Sequence, residues 1–446
     1  MSLRVVHLND VGIRVSDDGQ SATSGASAPY SSPGYALIDP PRIEFGVGAG
    51  AQSRLYPLST HHQFWHRLDM EAFARPLAHF RHNADIAYSH LQEIARDTAL
   101  DGDVIMAVPG SFSRQQLAVL LGLVRQCPFQ VVGLVDAGLA LMAGMEKAPQ
   151  HGLIHVELQL HQVVLTRVLV QGEEIVRDAV AVVPTAGWIQ MAESVLQLMT
   201  SAFVQQCRFN PQHNARSEQF LFDCLPQWLK SMGPQAGDNE AAGLISLEHN
   251  DTVHRARLSL ESVRARLTPF YQKIEQQLLA LDPEQSSDLV VAAALHSLPG
   301  FEQHLRASSS GRRRITAASV ATVANGCLAH ADQLVSNADS VRFHTRLRHS
   351  LLPAAPVIAE TAVQPSHLLA DHHARPLRDG MIVRLGDIQA EIRCENGHCL
   401  LQAATAGVLV NGVPAKSSQR LQLGDRLSVT GSDQHLQLIR VDDGNH

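Results

Sequence analysis

The chain has 446 residues, 45% apolar and 18% charged, which is enough for two or three domains with large cores and excludes a wholly disordered polymer. A formal net charge of −7 argues against nonspecific nucleic-acid binding as the main role, so no nucleic-acid partner is expected. There is no apolar run of the ~18 residues that a membrane span needs, so none is expected.

The start, MSLRVVHLND, reads as a strand and lacks the apolar core of a signal peptide. Six cysteines (127, 207, 224, 327, 394 and 399) form no CxxC pair, so a reduced cytoplasmic compartment is the default. Residues 3–15 and 35–47 read as strands flanking a Ser/Ala/Gly/Pro-rich loop over 19–34 that can bury little. Helical periodicity covers 71–98, and the apolar run 102–109 predicts a buried strand. A helix over 113–126 turns Leu117, Leu120, Leu121 and Val124 inward, with Ser113 and Gln116 spaced as a capping box. FQVVGLVD is the next strand and AGLALMAGM the next helix.

Residues 152–175, GLIHVELQLHQVVLTRVLVQGEEI, read as two strands joined at Gln171-Gly172, within a hairpin running over 153–184. His155, Glu157, Gln159 and His161 then share one face, because strand side chains alternate. A mostly helical region follows over 187–233, then a loop, GPQAGDNEAAG. A hairpin around Asn250-Asp251 leads into a helix over 260–281 with Val263, Leu267, Phe270, Ile274 and Leu278 on one stripe. The strand DLVVAAAL and the helices GFEQHLRA and TAASVATVANGCLAHADQL complete an α/β region ending near residue 335. The Pro/Ala/His-rich stretch 336–375 reads as a linker, and 376–446 as an all-β module of short strands and turn residues.

Taken in order, several segments of residues 1–335 resemble the actin-like ATPase superfamily, most closely the nucleotide-binding domain of the 70 kDa heat-shock chaperones. They are GAGAQSRLYPLSTHHQFWHRL, DVIMAVPGSFSRQQLAVLLGLVRQ, VVGLVDAGLALMAG, HRARLSLESVRARLTPFYQKIEQQL and DLVVAAALHSLPGFEQHL. The resemblance implies a two-lobed α/β ATPase fold whose glycine-rich turns cradle ATP or ADP with Mg²⁺. Glycine there lets backbone N–H groups approach phosphate, while carboxylates hold the metal and a lysine stabilises transferred charge.

Carried over residue by residue, that chemistry is mostly missing. The first turn, LNDVGIR, keeps Asn9 or Asp10 and Gly12 but loses the threonines. His66 falls where the family has its lysine, and Asp136 where it has a glutamate. The second turn, glycine-rich in the family, is Glu157-Leu158-Gln159-Leu160-His161-Gln162, and the adenosine-side glycine pair is Ala293-Ala294. Side chains at positions needing positive φ cost about 1–2 kcal/mol each. A remnant nucleotide cleft, if kept, would comprise Asp10, Gly12, His66, Asp136 and Glu157, and no catalytic residue is assigned. The chaperones' peptide-binding domain and lid have no counterpart.

The C-terminal module resembles a forkhead-associated domain through DGMIVRLGD, IQAEI and TAGVLVNG…LQLGDRLSV. The resemblance implies a phosphothreonine reader, but the gripping Arg falls at Asp387, the His at Gln389 and the Asn at Ala406. The turn residues Gly386, Gly407, Asn411-Gly412 and Gly424-Asp425 remain.

Other constellations read structurally. Arg312-Arg313-Arg314 reads as a solvated loop. His155 to His161 spans about 20 Å of straight strand, too far for one metal ion unless the strand bends. Ser111 and Ser113 lack a nucleophile elbow. Cys394 and Cys399 face each other across an Asn396-Gly397 turn, as reduced thiols, a cross-strand disulfide or half a zinc site. The expected function is that of a catalytically degenerate chaperone-like adaptor or assembly factor with a protein partner. The alternative is a divergent ATPase using nucleotide as a conformational switch.

Overall fold

The computed structural model describes residues 3–16, 30–75, 77–147, 149, 151–233, 243–309, 313–336, 341–348, 365–370, 373–385, 388–395, 398–403, 407–416, 418–429 and 435–439. The chain divides into two compact units, Met1–Leu352 and Pro353–His446.

The first unit is mixed α/β, built on two six-stranded sheets with one repeated topology. In the first sheet, Arg4–His7 pairs antiparallel with Ile13–Ser16, which pairs with Ser31–Ser32. On its other side Arg4–His7 runs parallel to Asp103–Val108, and that strand to Gln130–Asp136. In the second sheet, Leu153–Leu158, Gln162–Gln171 and Glu174–Pro184 form the antiparallel meander. Leu153–Leu158 then runs parallel to Asp288–Ala292, and that strand to Ile315–Ala318. The central parallel strands are apolar along their length because both faces are covered.

In each half the fifth strand leads into a helix, Ala137–Ala143 and Thr322–Ala329. The two helices pack against each other between the sheets. Their contact needs glycine: a Cβ on Gly326 would overlap the Ala140 carbonyl and approach the Gly144 nitrogen. Helices Asn83–Asp97 and Arg114–Val124 cover the first sheet, and Trp188–Cys207, Ala215–Ser231, Leu260–Leu281 and Phe301–Ser308 contribute to the core of the second.

Several expectations hold. Ser113 and Gln116 form the capping box, with Leu120 and Val124 fully buried. The helix over 260–281 is present, capped by Ser259, with Tyr271 buried and Phe270 only partly so. Asn250 and Asp251, both at positive φ, turn the Leu244–His249/Thr252–Arg257 hairpin.

Others are corrected. The described residues of 71–82 are not helical; the helix begins at Asn83, where the His82 ring accepts the Asp85 N–H. Residues 315–318 form a strand and not the start of a helix, because parallel pairing with Asp288–Ala292 overrides alanine's helix preference. The 3–15 and 35–47 stretches are each two strands, Arg4–His7 with Ile13–Ser16 and Ala36–Asp39 with Arg42–Phe45. The strand read through His161 ends at Leu158, and Gln159–His161 is a turn, so His155 and Glu157 lie on the strand while Gln159 and His161 do not. Within 336–375, Phe343–His344 and Arg346–Arg348 pair with the edges of the first and second sheets respectively. Residues 17–29 of the Ser/Ala-rich loop, 234–242, and Arg312 lie outside the described residues, but Arg313 is not part of a solvated loop: it is buried, paired with Asp282 and bonded to the Ser287 carbonyl.

The second unit is two antiparallel sheets. One contains His373–Pro376, His367–Ala370, His435–Ile439, Arg426–Val429, Val408–Val410 and Val413–Pro414; the other Met381–Leu385, Ile388–Glu395, His398–Ala403 and Gln419–Leu421. Leu368, Val410, Leu427 and Leu438 of the first sheet meet Val383, Ile392, Leu401 and Leu421 of the second in one core. Asn411 and Gly412, at positive φ, make one tight turn. Gly386, Asp387, Asn396, Gly397 and Ala406 lie outside the described residues.

Candidate functional site

The site lies where the first strand of each meander ends. Arg4–His7 runs into Leu8–Gly12, Leu153–Leu158 runs into Gln159–His161, and the two turns are bonded together. The Leu160 N–H donates to Asp10 Oδ1 at 2.8 Å. Asn9 Nδ2 donates to Glu157 Oε1 at 2.9 Å and to the Leu158 carbonyl at 3.1 Å. His7 Nε2 stands 3.3 Å from the same Glu157 oxygen.

These groups are buried, and burial sets their charge. Desolvation pushes the Asp10 carboxyl up to about 7, aided by the nearby Glu157 charge and opposed by the Leu160 N–H. Burial alone would raise Glu157, but hydrogen bonds from His7 and Asn9 and the neighbouring imidazoles hold it below its ordinary value. A Cβ on Gly12 would meet only the Ser31 side chain, whose exposed hydroxyl would have to rotate away.

Asp136 is wholly buried and already engaged. Its Oδ1 caps the helix that follows, accepting from Gly138 N at 2.9 Å and Leu139 N at 3.1 Å, and its Oδ2 pairs with Arg177 Nη1 at 3.1 Å. His66 is half-buried, its ring 5.3 Å from that of His161. Burial, with His161 and Arg67, lowers its pKa, so the ring is neutral at pH 7 and cannot supply a lysine's fixed charge. His62 Nδ1 lies 3.1 Å from His161 Nε2, a further contact between the two halves.

Two cavities flank the joined turns. One, of about 180 Å³, is lined by Asp10, His66, Ser111, Gln116, Gln159 and Gln162 among others. The other, of about 70 Å³, is lined by His7, Gly12, Arg14, His155, Glu157 and the Ala292–Ala294 wall among others. Both fall below the roughly 300 Å³ at which small-molecule sites begin. Nδ1 of His7 and of His155 faces no hydrogen-bonding group among the described residues. Gln162 Nε2 bridges Gln159 Oε1 at 2.7 Å and Ser111 Oγ at 3.3 Å, so side-chain amides fill space beside the turn.

Of the five residues expected at a cleft, Asp10, Gly12 and Glu157 come together at the junction. His66 joins Asp10 in the larger cavity, and Asp136 lines neither. Arg177, the partner of Asp136, carried no local signal; it comes from a strand 41 positions further along the chain. Nor did the Asn9 side chain, whose partners Glu157 and Leu158 belong to the other half.

The residues do not fit a nucleotide with Mg²⁺. The Leu160 N–H of the second turn is occupied by a carboxylate of the protein, one candidate metal carboxylate is a helix cap, and the lysine position is a neutral imidazole. Among the described residues no group of three His, Cys, Asp or Glu side chains is arranged to hold a metal ion, and no helix is long and apolar enough to cross a membrane. No protein-family model matches the chain, and no curated protein matches it.

Proposed function

We propose that the chain is a catalytically degenerate actin-like protein that works as a protein-binding adaptor or assembly factor, with little or no ATP hydrolysis. The repeated sheet topology, with the two fifth-strand helices packed against each other, supports the actin-like reading of the first unit. The antiparallel two-sheet unit supports a degenerate forkhead-associated-like module, in which exposed Gln389 stands where that family has histidine.

One observation carries the loss of nucleotide chemistry: the Asp10 carboxylate sits on the Leu160 N–H, bonding turn to turn where the family leaves room for phosphate. A phosphate would have to displace an acceptor that the protein itself supplies. A protein partner fits better, and apolar side chains stand in solvent for one: Leu58 is 96% exposed, with Val47 and Tyr56 nearby in sequence. The test is calorimetric titration of the full chain with ATP and ADP, with and without Mg²⁺. No heat at millimolar nucleotide is expected. Micromolar binding would overturn the reading and restore the nucleotide-switch alternative.

A further inference from the structure

The β-module carries a second feature, independent of the first unit. Cys394 and Cys399 are directly opposed on neighbouring antiparallel strands, Ile388–Glu395 and His398–Ala403. Cys394 donates its backbone N–H to Asp379 Oδ1 at 3.0 Å and not across the ladder. That marks a non-hydrogen-bonded pair, where opposite Cα atoms approach to about 4.5 Å, inside the window a disulfide needs. The two sulfur atoms stand 2.6 Å apart. Cys399 is buried in the module's core, and Cys394 is partly exposed at its edge.

We propose that Cys394 and Cys399 are a redox modification site, a thiol pair that closes to a cross-strand disulfide by exchange with a small-molecule disulfide. The Cys394 thiolate, the accessible one, attacks one sulfur of the reagent disulfide. A Cys394–reagent mixed disulfide forms and one reagent thiolate leaves. Cys399 then loses its proton to solvent, and its thiolate attacks the Cys394 sulfur. The Cys394–Cys399 bond forms and the second reagent thiolate departs. Two protein thiols are oxidised and one reagent disulfide is reduced to two thiols. Burial raises the Cys399 thiol, so closure of the bridge quickens with rising pH.

The other four cysteines, Cys127, Cys207, Cys224 and Cys327, have no such partner among the described residues. They serve as internal controls. The full chain is incubated with glutathione disulfide, quenched with an alkylating reagent and digested with trypsin. The peptide Cys394–Lys416 holds both thiols. It is expected lighter by two hydrogens and unalkylated, while the other four cysteines alkylate. In Cys399→Ser, glutathione is expected to remain attached to Cys394, because no resolving thiol is present. Bridge formation is expected to fall severalfold when the wild-type chain is unfolded in urea. Full alkylation of both thiols in the folded wild type would overturn the proposal. So would a persistent wild-type glutathione adduct, or equal bridging in urea, which would trace the pairing to sequence proximity alone. The wild-type mapping stands even if the serine variant folds poorly.

Discussion

Asp10 is a carboxylate in a buried place, and its chemistry is readable in pH. Folding favours its protonated form, because burial raises the group from 3.8 to about 7. Its stabilising contribution is therefore complete below the unfolded value and lost as pH rises through about 7, on the order of 4 kcal/mol in total. The buried histidines act in the opposite direction. Burial lowers His62 and His155 to about 4 and His90 to about 3, so their contribution is complete above 6.5 and lost as pH falls. Asp10→Asn isolates the first effect, since an amide oxygen can still accept the Leu160 N–H without ionising. Its stability advantage over wild type, from urea denaturation, is expected to grow by about 2–3 kcal/mol between pH 5 and pH 8. A constant difference across that range would mean that the Asp10 carboxyl titrates normally and that the clasp is not buried.

At the scale of elements, the joint between the two halves is a helix pair held at glycine contact distance. Gly326→Ala would drive a methyl into the Ala140 carbonyl, in backbone that neither helix can move alone. A loss of about 2–3 kcal/mol in chemical denaturation is expected. Gly122→Ala is the matched control: it lies mid-helix in Arg114–Val124 with open space around it, so it should be neutral or stabilising by up to about 1 kcal/mol. Equal costs for the two would show that the joint is not closely packed. Much of this level was legible from sequence. The capping box at Ser113, the apolar strand 103–108 and the 260–281 stripe are local patterns, and local patterns survive folding. The start of the helix at Asn83 was not legible, because the residues before it have helical periodicity but form turns and extended backbone. Nor was the strand 315–318, because alanine and threonine become a strand there only through a parallel neighbour placed by the rest of the chain.

At the scale of the whole first unit, a second clasp joins the halves away from the turns. Arg54 forms ion pairs with Glu193 and Glu218 and lies over the Phe222 ring at 4.5 Å. Its backbone N–H donates to Gln219 Oε1 at 2.7 Å, and Gln219 Nε2 returns to the Gly50 carbonyl at 3.1 Å. Residues near 50 are thereby tied to the helices Trp188–Cys207 and Ala215–Ser231. Arg54→Ala removes the ion pairs and the ring contact but leaves the backbone bond. Amide hydrogen exchange across 46–61 is expected to quicken about tenfold, corresponding to about 1.4 kcal/mol, with little change in the Asp103–Val108 strand. Unchanged exchange at 46–61 would show that these ion pairs are solvent-screened and do not close the halves.

The sequence by itself determined the alternation of strands and helices in most of the first unit, the strand-and-turn pattern of the described residues after 375, and the absence of glycine between Gly152 and Gly172. Each depends on residue type and near-neighbour spacing, which act over a few ångströms along the chain. The family resemblance, not the spacing of the residues, pointed to Asp10, Gly12, His66, Asp136 and Glu157 as a remnant cleft. Only the tertiary structure decided what they do. Asp10 meets Leu160 across 150 positions, Asn9 meets Glu157 across 148, and Asp136 meets Arg177 across 41. A carboxylate's role is set by the donors that reach it and the water that cannot, and both are properties of the packed chain.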